Sequence, residues 1–205
     1  MSGKQTLLVA LIGLTLSIIS IFTLDYRLAS PVLSFGLGNK ELWNVVTDIG
    51  DSKYMGMLLV ATWLSAFIYQ KITPDNPFWP ELRKKALLIL AAVVGTGIFV
   101  IVVKTIVGRA RPYMGDIGFF PFTFGSDYAS WPSGHTTSAF AFAVAAGMAF
   151  PILRWPLLVV AALTGFSRMV LGVHYLGDVI MGATVGTVGA MLIYNWLRPK
   201  LGLKG

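Results

Sequence analysis

Cysteine is missing from this 205-residue chain, which excludes disulfides, thiolate metal sites and a cysteine nucleophile. Charge is scarce as well. Asp, Glu, Lys and Arg together make up 12% of the residues, about half of the roughly 25% usual in a soluble domain. Histidine occurs only twice, at positions 135 and 174. Apolar residues fill the space: 56% of the chain is hydrophobic and its mean hydropathy is +0.74. Lipid is the main solvent for such a chain. The net charge of +7 does not point to nucleic acid, because the basic residues punctuate apolar runs and form no stripe on a soluble face.

A helix needs about 20 apolar residues to cross the hydrocarbon of a bilayer. Residues 6–24, 86–103, 136–153 and 179–197 are runs of that kind without a charge, and 54–69 is shorter but equally clean. Residues 156–173 carry only Arg168, near the far end. The pattern predicts an all-α integral membrane protein: one domain over 1–205, six transmembrane helices in a bundle, and a motif-bearing core at 86–197. The first run reads as an uncleaved anchor, since Arg27-Leu28-Ala29 lacks the small residue that a cleavage site needs. Between 25 and 53, Leu33, Phe35, Leu37, Leu42 and Trp43 alternate with polar residues. They predict short amphipathic helices lying on the outer surface.

Lysine and arginine set the orientation. With a cytoplasmic N-terminus, the inner segments hold Lys4, Lys71, Arg83, Lys84, Lys85, Arg154, Arg198, Lys200 and Lys204. The outer side keeps Arg27, Lys40, Lys53, Lys104, Arg109, Arg111 and Arg168. Of these, Lys104 and Arg168 sit within or at the ends of helices, where a cation is costly and serves function. The remaining loop charges favour both termini on the cytoplasmic side of a plasma (inner) membrane. In "TDIGDS", Asp48 and Asp51 do not make a convincing metal pair; Asp51 or Ser52 caps the following helix.

Three stretches reach the outer face. "KTIVGRARP" sets Lys104 and Arg111 seven residues apart, nearly two helical turns, and Pro112 biases Arg111 out of the helix. "PSGH" opens the fourth helix, and "SRMVLGVHYLGD" lies where the fifth turns into the sixth. A phosphate would give every element a task. Arginine forks match phosphate oxygens and lysine adds a point charge. Ser133 and Gly134 present N–H groups at a helix start, and Gly134 lets the backbone approach closely. Asp178, four residues after His174, can fix its tautomer and leave the other nitrogen free to attack. His135 is placed to donate a proton to a leaving oxygen.

With those residues in place the chain resembles the type 2 phosphatidic acid phosphatase superfamily, related to vanadium haloperoxidases. The family pattern is a lysine, six residues and Arg-Pro; then Pro-Ser-Gly-His; then Ser-Arg, five residues, His, three residues, Asp. Here it reads Lys104…Arg111-Pro112, Pro132-Ser133-Gly134-His135 and Ser167-Arg168…His174…Asp178. The resemblance implies a bacterial membrane phosphatase similar to the phosphatidylglycerophosphate, undecaprenyl-diphosphate and lipid A 1-phosphatases. It implies His174 as a nucleophile forming phosphohistidine, His135 as proton donor and Asp178 as the orienting carboxylate. Lys104, Arg111, Ser133, Gly134 and Arg168 would hold the phosphate, with no metal and no cofactor. The substrate would be the mono- or diphosphate of a membrane lipid, met on the periplasmic or extracellular side. The rivals are a phosphotransferase to a lipid acceptor and, from another class, an anion or lipid transporter. Tyr113, Phe119, Phe120, Phe122, Phe124, Tyr128 and Trp131 are either a lid on the lipid or an interfacial aromatic belt.

Overall fold

The computed structural model describes residues 3–203, apart from the side chain of Leu37. Lys204, one of the inner charges in the orientation argument, lies outside the described residues. Eight helices follow in order: α1 (Gly3–Thr23), α2 (Asp25–Gly36), α3 (Lys40–Ile49), α4 (Ser52–Ile72), α5 (Phe78–Val107), α6 (Gly134–Ala149), α7 (Arg154–Val170) and α8 (Leu176–Lys200). Three single 3-10 turns join them. Among the described residues there is no strand, only an isolated bridge between Arg109 and Phe119. The short amphipathic pieces expected between 25 and 53 are α2 and α3.

Among the described residues five stretches are long and apolar enough to cross a membrane: α1, α4, α5, α8, and α7 together with the turn before it. The sixth expected run behaves differently. It was expected over 136–153, but the helix stops at Ala149 and a 3-10 turn covers Pro151–Leu153. Pro151 disfavours helical geometry in the residue before it, and Phe150 sits at φ −139°, ψ 85°. The resulting α6 has 16 residues, about 24 Å at 1.5 Å per residue. In the other direction α5 exceeds its expected span. The charged stretch before residue 86 is helical, with Pro80 tolerated in the first turn and Lys85 paired to Glu81 one turn back at 2.6 Å.

The short α6 is the centre of the bundle. Eleven of its sixteen residues are buried, and α5, α7 and α8 all pack on it. Its alanines and Gly147 let neighbouring backbones approach, which is how helices associate where lipid removes the hydrophobic drive. A Cβ at Gly182 of α8 would stand 2.7 Å from the Ser133 carbonyl oxygen, so glycine is required there. Around this core, α1 packs on α8 and α4 on α5, and α3 lies against α7. Leu7, Leu11, Ile98, Ile101, Val159 and Leu192 keep their side chains on the outside, as a lipid-facing surface needs.

Candidate active site

Four sequence segments meet at one end of the bundle: the end of α5 with the loop that follows, the head of α6, the α7–α8 turn, and the α3–α4 turn. Helix α5 ends at Gly108, whose φ of +61° is left-handed and whose N–H caps the Lys104 carbonyl at 2.8 Å. A side chain there would collide with the Phe120 backbone. The chain then leaves as an extended segment. Ala110 and Phe120 donate backbone N–H groups to Gly118 and Gly108, and Ser130 donates to Arg109. This folds residues 108–131 across the site.

His174 lies in the short α7–α8 turn and is 3% exposed. Its backbone N–H, like that of Val173, is donated to the Arg168 carbonyl. Its Nδ1 stands 3.4 Å from Asp178 Oδ2. The contact expected from the spacing forms, but not through a helical turn, because His174 precedes the extended N-cap Tyr175 and lies outside α8. No described protein group bonds Nε2, which leaves that nitrogen for chemistry. Burial pushes the imidazole down to about 3, only partly opposed by the bond to Asp178. The ring is therefore neutral at physiological pH, as a nucleophile must be.

Asp178 has no solvent exposure. It is the third residue of α8 and accepts the Tyr175 N–H at 2.9 Å, where a negative charge also suits the helix start. It further accepts from the Ser130 hydroxyl and from Nη1 of Arg109. The other arm of Arg109 donates to Asp25 Oδ2 at 2.8 Å. Asp25 in turn accepts from Ser20 Oγ at 2.6 Å and from the Gly177 N–H at 2.8 Å. The Arg109 guanidinium lies 4.4 Å from the Tyr175 ring centroid and 5.6 Å from that of Phe119.

Sequence reasoning treated Arg109 as a plain loop charge and passed over Asp25 and Ser130. The available signal was a lone acid directly after an apolar run, which costs too much to bury without a partner.

The cations expected at a phosphate do come together. Lys104 Nζ donates to the Ala129 carbonyl at 2.5 Å. It also lies about 4.0 Å from where a Gly134 Cβ would be, so the ammonium faces the head of α6. Arg111 is extended and donates Nε to the Ser126 carbonyl at 2.8 Å. Arg168 donates Nη1 to Thr47 Oγ1 at 2.7 Å, while its buried Nε has no partner. Lys104, Arg111 and Arg168 are within electrostatic reach of one another, and Lys104 and Arg168 also of both histidines. Three converging cations, one with an unused buried donor, suit an anion.

Ser133 corrects one expectation: its N–H is not free to meet a phosphate. Its N–H is taken by the Asp178 carbonyl at 3.0 Å, and its Oγ accepts from Thr136 at 2.8 Å. Its own hydroxyl proton is left to donate. His135, the second residue of α6, has Nε2 3.8 Å from Asp51 Oδ2. Asp51 is the N-cap of α4, accepting the Lys53 N–H at 2.8 Å. A cavity of about 270 Å³ opens beside His174, walled by Leu28, Val32 and Leu33 of α2 with Pro112 and Tyr113. Among the described residues no group of three or more His, Asp and Glu stands where it could hold a metal ion.

Residues 85–201 match the family model of the PAP2 superfamily. The chain is 32% identical over 160 residues to a lipid A 1-phosphatase of Rhizobium etli, covering 72% of this chain and 66% of that protein. It thus spans just under two thirds of that relative's length. It is 38% identical over 78 residues to the undecaprenyl-diphosphatase BcrC of Bacillus subtilis, covering 37% of this chain and 40% of that one. The crystal structure of the transmembrane PAP2 type phosphatidylglycerolphosphate phosphatase from Bacillus subtilis superposes with a TM-score of 0.70 at 23% identity. That superposition covers 95% of this chain and 96% of the other, so the two share a fold.

Proposed function

This chain belongs to the PAP2 superfamily, and from that premise we propose that it is a metal-independent phosphatase acting on a membrane lipid mono- or diphosphate through phosphohistidine. One observation carries the reading: a buried, neutral His174 is fixed through Nδ1 by Asp178 while Nε2 stays free beside Lys104 and Arg168. In the first half-reaction the Nε2 lone pair attacks phosphorus. The bond from phosphorus to the lipid oxygen breaks, and His135 gives its proton to that oxygen. Asp178 stabilises the charged ring. In the second half a water attacks phosphorus and passes a proton to His135. The P–N bond breaks back to Nε2 and inorganic phosphate leaves, with one water consumed.

Lys104, Arg111, Arg168, the Ser133 hydroxyl and the Gly134 backbone hold the phosphoryl oxygens and meet the charge that builds in the transition state. Lipid is favoured as substrate because the cradle lies at the end of an apolar bundle and the adjoining loop exposes Phe122 and Phe124. A loop with these rings outward reaches the bilayer interface. The names of the relatives supply lipid A, undecaprenyl diphosphate and phosphatidylglycerol phosphate as substrates to try first. For orientation, α6 counted as a sixth crossing would put both termini on one side, which we assign to the cytoplasm with the site outside. The lysine and arginine distribution supports this.

The test is phosphate release by the purified protein in mixed micelles against a panel of lipid mono- and diphosphates, with EDTA present and His174→Ala alongside. Release by the wild type alone is expected. Equal release by both proteins would end the phosphohistidine reading. Release that depends on an added acceptor lipid would make the enzyme a transferase. The ionisable groups of the site cluster at one end of the bundle, which speaks against a transporter.

A further inference from the structure

We propose that Asp51 is the positioning residue that keeps His135 protonated while phosphate is bound, so that the α3–α4 turn belongs to the acid–base machinery. The inference rests on the phosphohistidine reading. In-line displacement requires the leaving oxygen to depart opposite the attacking nitrogen. His135 is the other histidine of the chain, and it needs a reason to hold a proton near neutral pH.

Asp51 supplies one. Its Oδ1 is fixed by the Lys53 N–H at 2.8 Å, and its Oδ2 is then aimed at His135, 3.8 Å from Nε2. That separation is too long for a hydrogen bond but within an ion pair. The Nε2 proton is held by charge and remains free for the leaving oxygen. The turn itself is docked on both sides. Ser138 of α6 donates to the Gly50 carbonyl at 2.6 Å, and Arg168 of α7 donates to Thr47 Oγ1 at 2.7 Å.

The groups facing His135 are Arg168 from α7, Lys104 from α5, Asp51 from the turn and Asp48 from the end of α3. Burial and the two cations oppose a charged ring, and the two carboxylates favour it. A bound phosphate dianion meets the charge of Lys104 and Arg168. Asp51 is then left as the counter-ion of an imidazolium. Substrate binding thereby charges the acid that the first step consumes. The pair is 31% and 28% exposed, unlike the sealed His174–Asp178 pair, as suits a residue that must exchange a proton with water. Asp51 lies before residue 85, where the family match begins.

The discriminating variant is Asp51→Asn, since asparagine caps a helix about as well as aspartate and only the charge is removed. Two substrates separate the roles: dioctanoyl phosphatidic acid, whose alkoxide must be protonated, and 4-nitrophenyl phosphate, whose leaving group needs no proton. We expect at least about a tenfold loss of kcat on the first, a part of what general acids contribute. On the second we expect a loss under about threefold, with KM little changed on either. The alkaline limb of kcat, which reports the bound complex, should move to lower pH. Equal losses on both substrates, or an unmoved alkaline limb, would reduce Asp51 to a helix cap. His174→Ala measured in parallel separates the two levels. If it still releases phosphate, the nucleophile assignment fails; if it is inert while Asp51→Asn ignores the leaving group, only this inference fails.

Discussion

Arg109 and Asp178 form an ion pair sealed from solvent, with side chains 1% and 0% exposed. The opposite arm of the guanidinium meets Asp25, also 1% exposed. One cation thus holds two carboxylates, and it ties the acid beside His174 to the junction of α1 and α2. Replacing Arg109 with Met leaves both acids buried without a counter-ion. Breaking such a pair costs about 3–5 kcal/mol. Thermal unfolding in detergent should show a large drop in midpoint, and an unchanged midpoint would mean that the network adds nothing to stability. Arg109→Lys should recover little, because a single ammonium cannot reproduce the fork.

Asp178→Asn keeps the volume and removes the charge that fixes and then stabilises the His174 ring. Turnover should fall by about 100-fold or more, with much less change in KM. A variant that weakens only substrate binding would assign Asp178 to the phosphate cradle.

Burial holds the His174 pKa far below the ordinary imidazole range. A lowered value means that the ring becomes charged only on strong acidification, so its neutral fraction does not change between pH 7 and pH 5. The acid limb of kcat/KM, corrected for substrate ionisation, should therefore fall below pH 5. An enzyme limb near 6.5 would place His174 in water-like surroundings.

Orthovanadate takes the five-coordinate geometry of phosphoryl transfer, and the three cations with the α6 head fit it better than a ground-state phosphate. Inhibition competitive with substrate is expected at micromolar concentrations. EDTA should leave the rate unchanged. Loss of activity on chelation would transfer phosphate activation to a metal.

Gly182 lets α8 press against the head of α6. In Gly182→Ala the new Cβ would meet the Ser133 carbonyl oxygen at 2.7 Å and Thr136 Cβ at 3.0 Å. Backbone at the phosphate cradle must then shift, at a cost of about 1–3 kcal/mol. Competitive inhibition by inorganic phosphate measures the cradle directly, and its Ki should rise. An unchanged Ki would show that the α6–α8 contact does not shape the site.

Much of this was legible in the sequence because it is local. Apolar runs located α1 and α4 to α8, of which five are long and apolar enough to cross a membrane among the described residues. Two boundaries moved, α6 stopping at Ala149 ahead of Pro151 and α5 starting at Phe78, ahead of its apolar run. The contact of His174 with Asp178 is local as well, although not the helical turn expected: His174 precedes α8, and the extended N-cap Tyr175 brings the two side chains together. Lys104, Gly134 and Arg168 could be assigned to one phosphate because each residue type has its own way of meeting an anion. The belonging of Asp51 to its helix cap was readable for the same reason.

The pairings across the chain were not readable. Arg109 finds Asp25 across 84 positions, and Ser130 finds Asp178 across 48. A sequence states that a buried charge is costly, but not which opposite charge the packing will bring to it. That depends on how α1, α5 and α8 cross, and on glycines that let α8 lie close to α6. By itself the sequence determined the apolar helices and the candidate chemical groups that gather at one end of the bundle, through spacing along one chain. The tertiary structure alone decided which carboxylate braces which cation, and that Asp51 faces His135, because those distances are set by helices meeting in space.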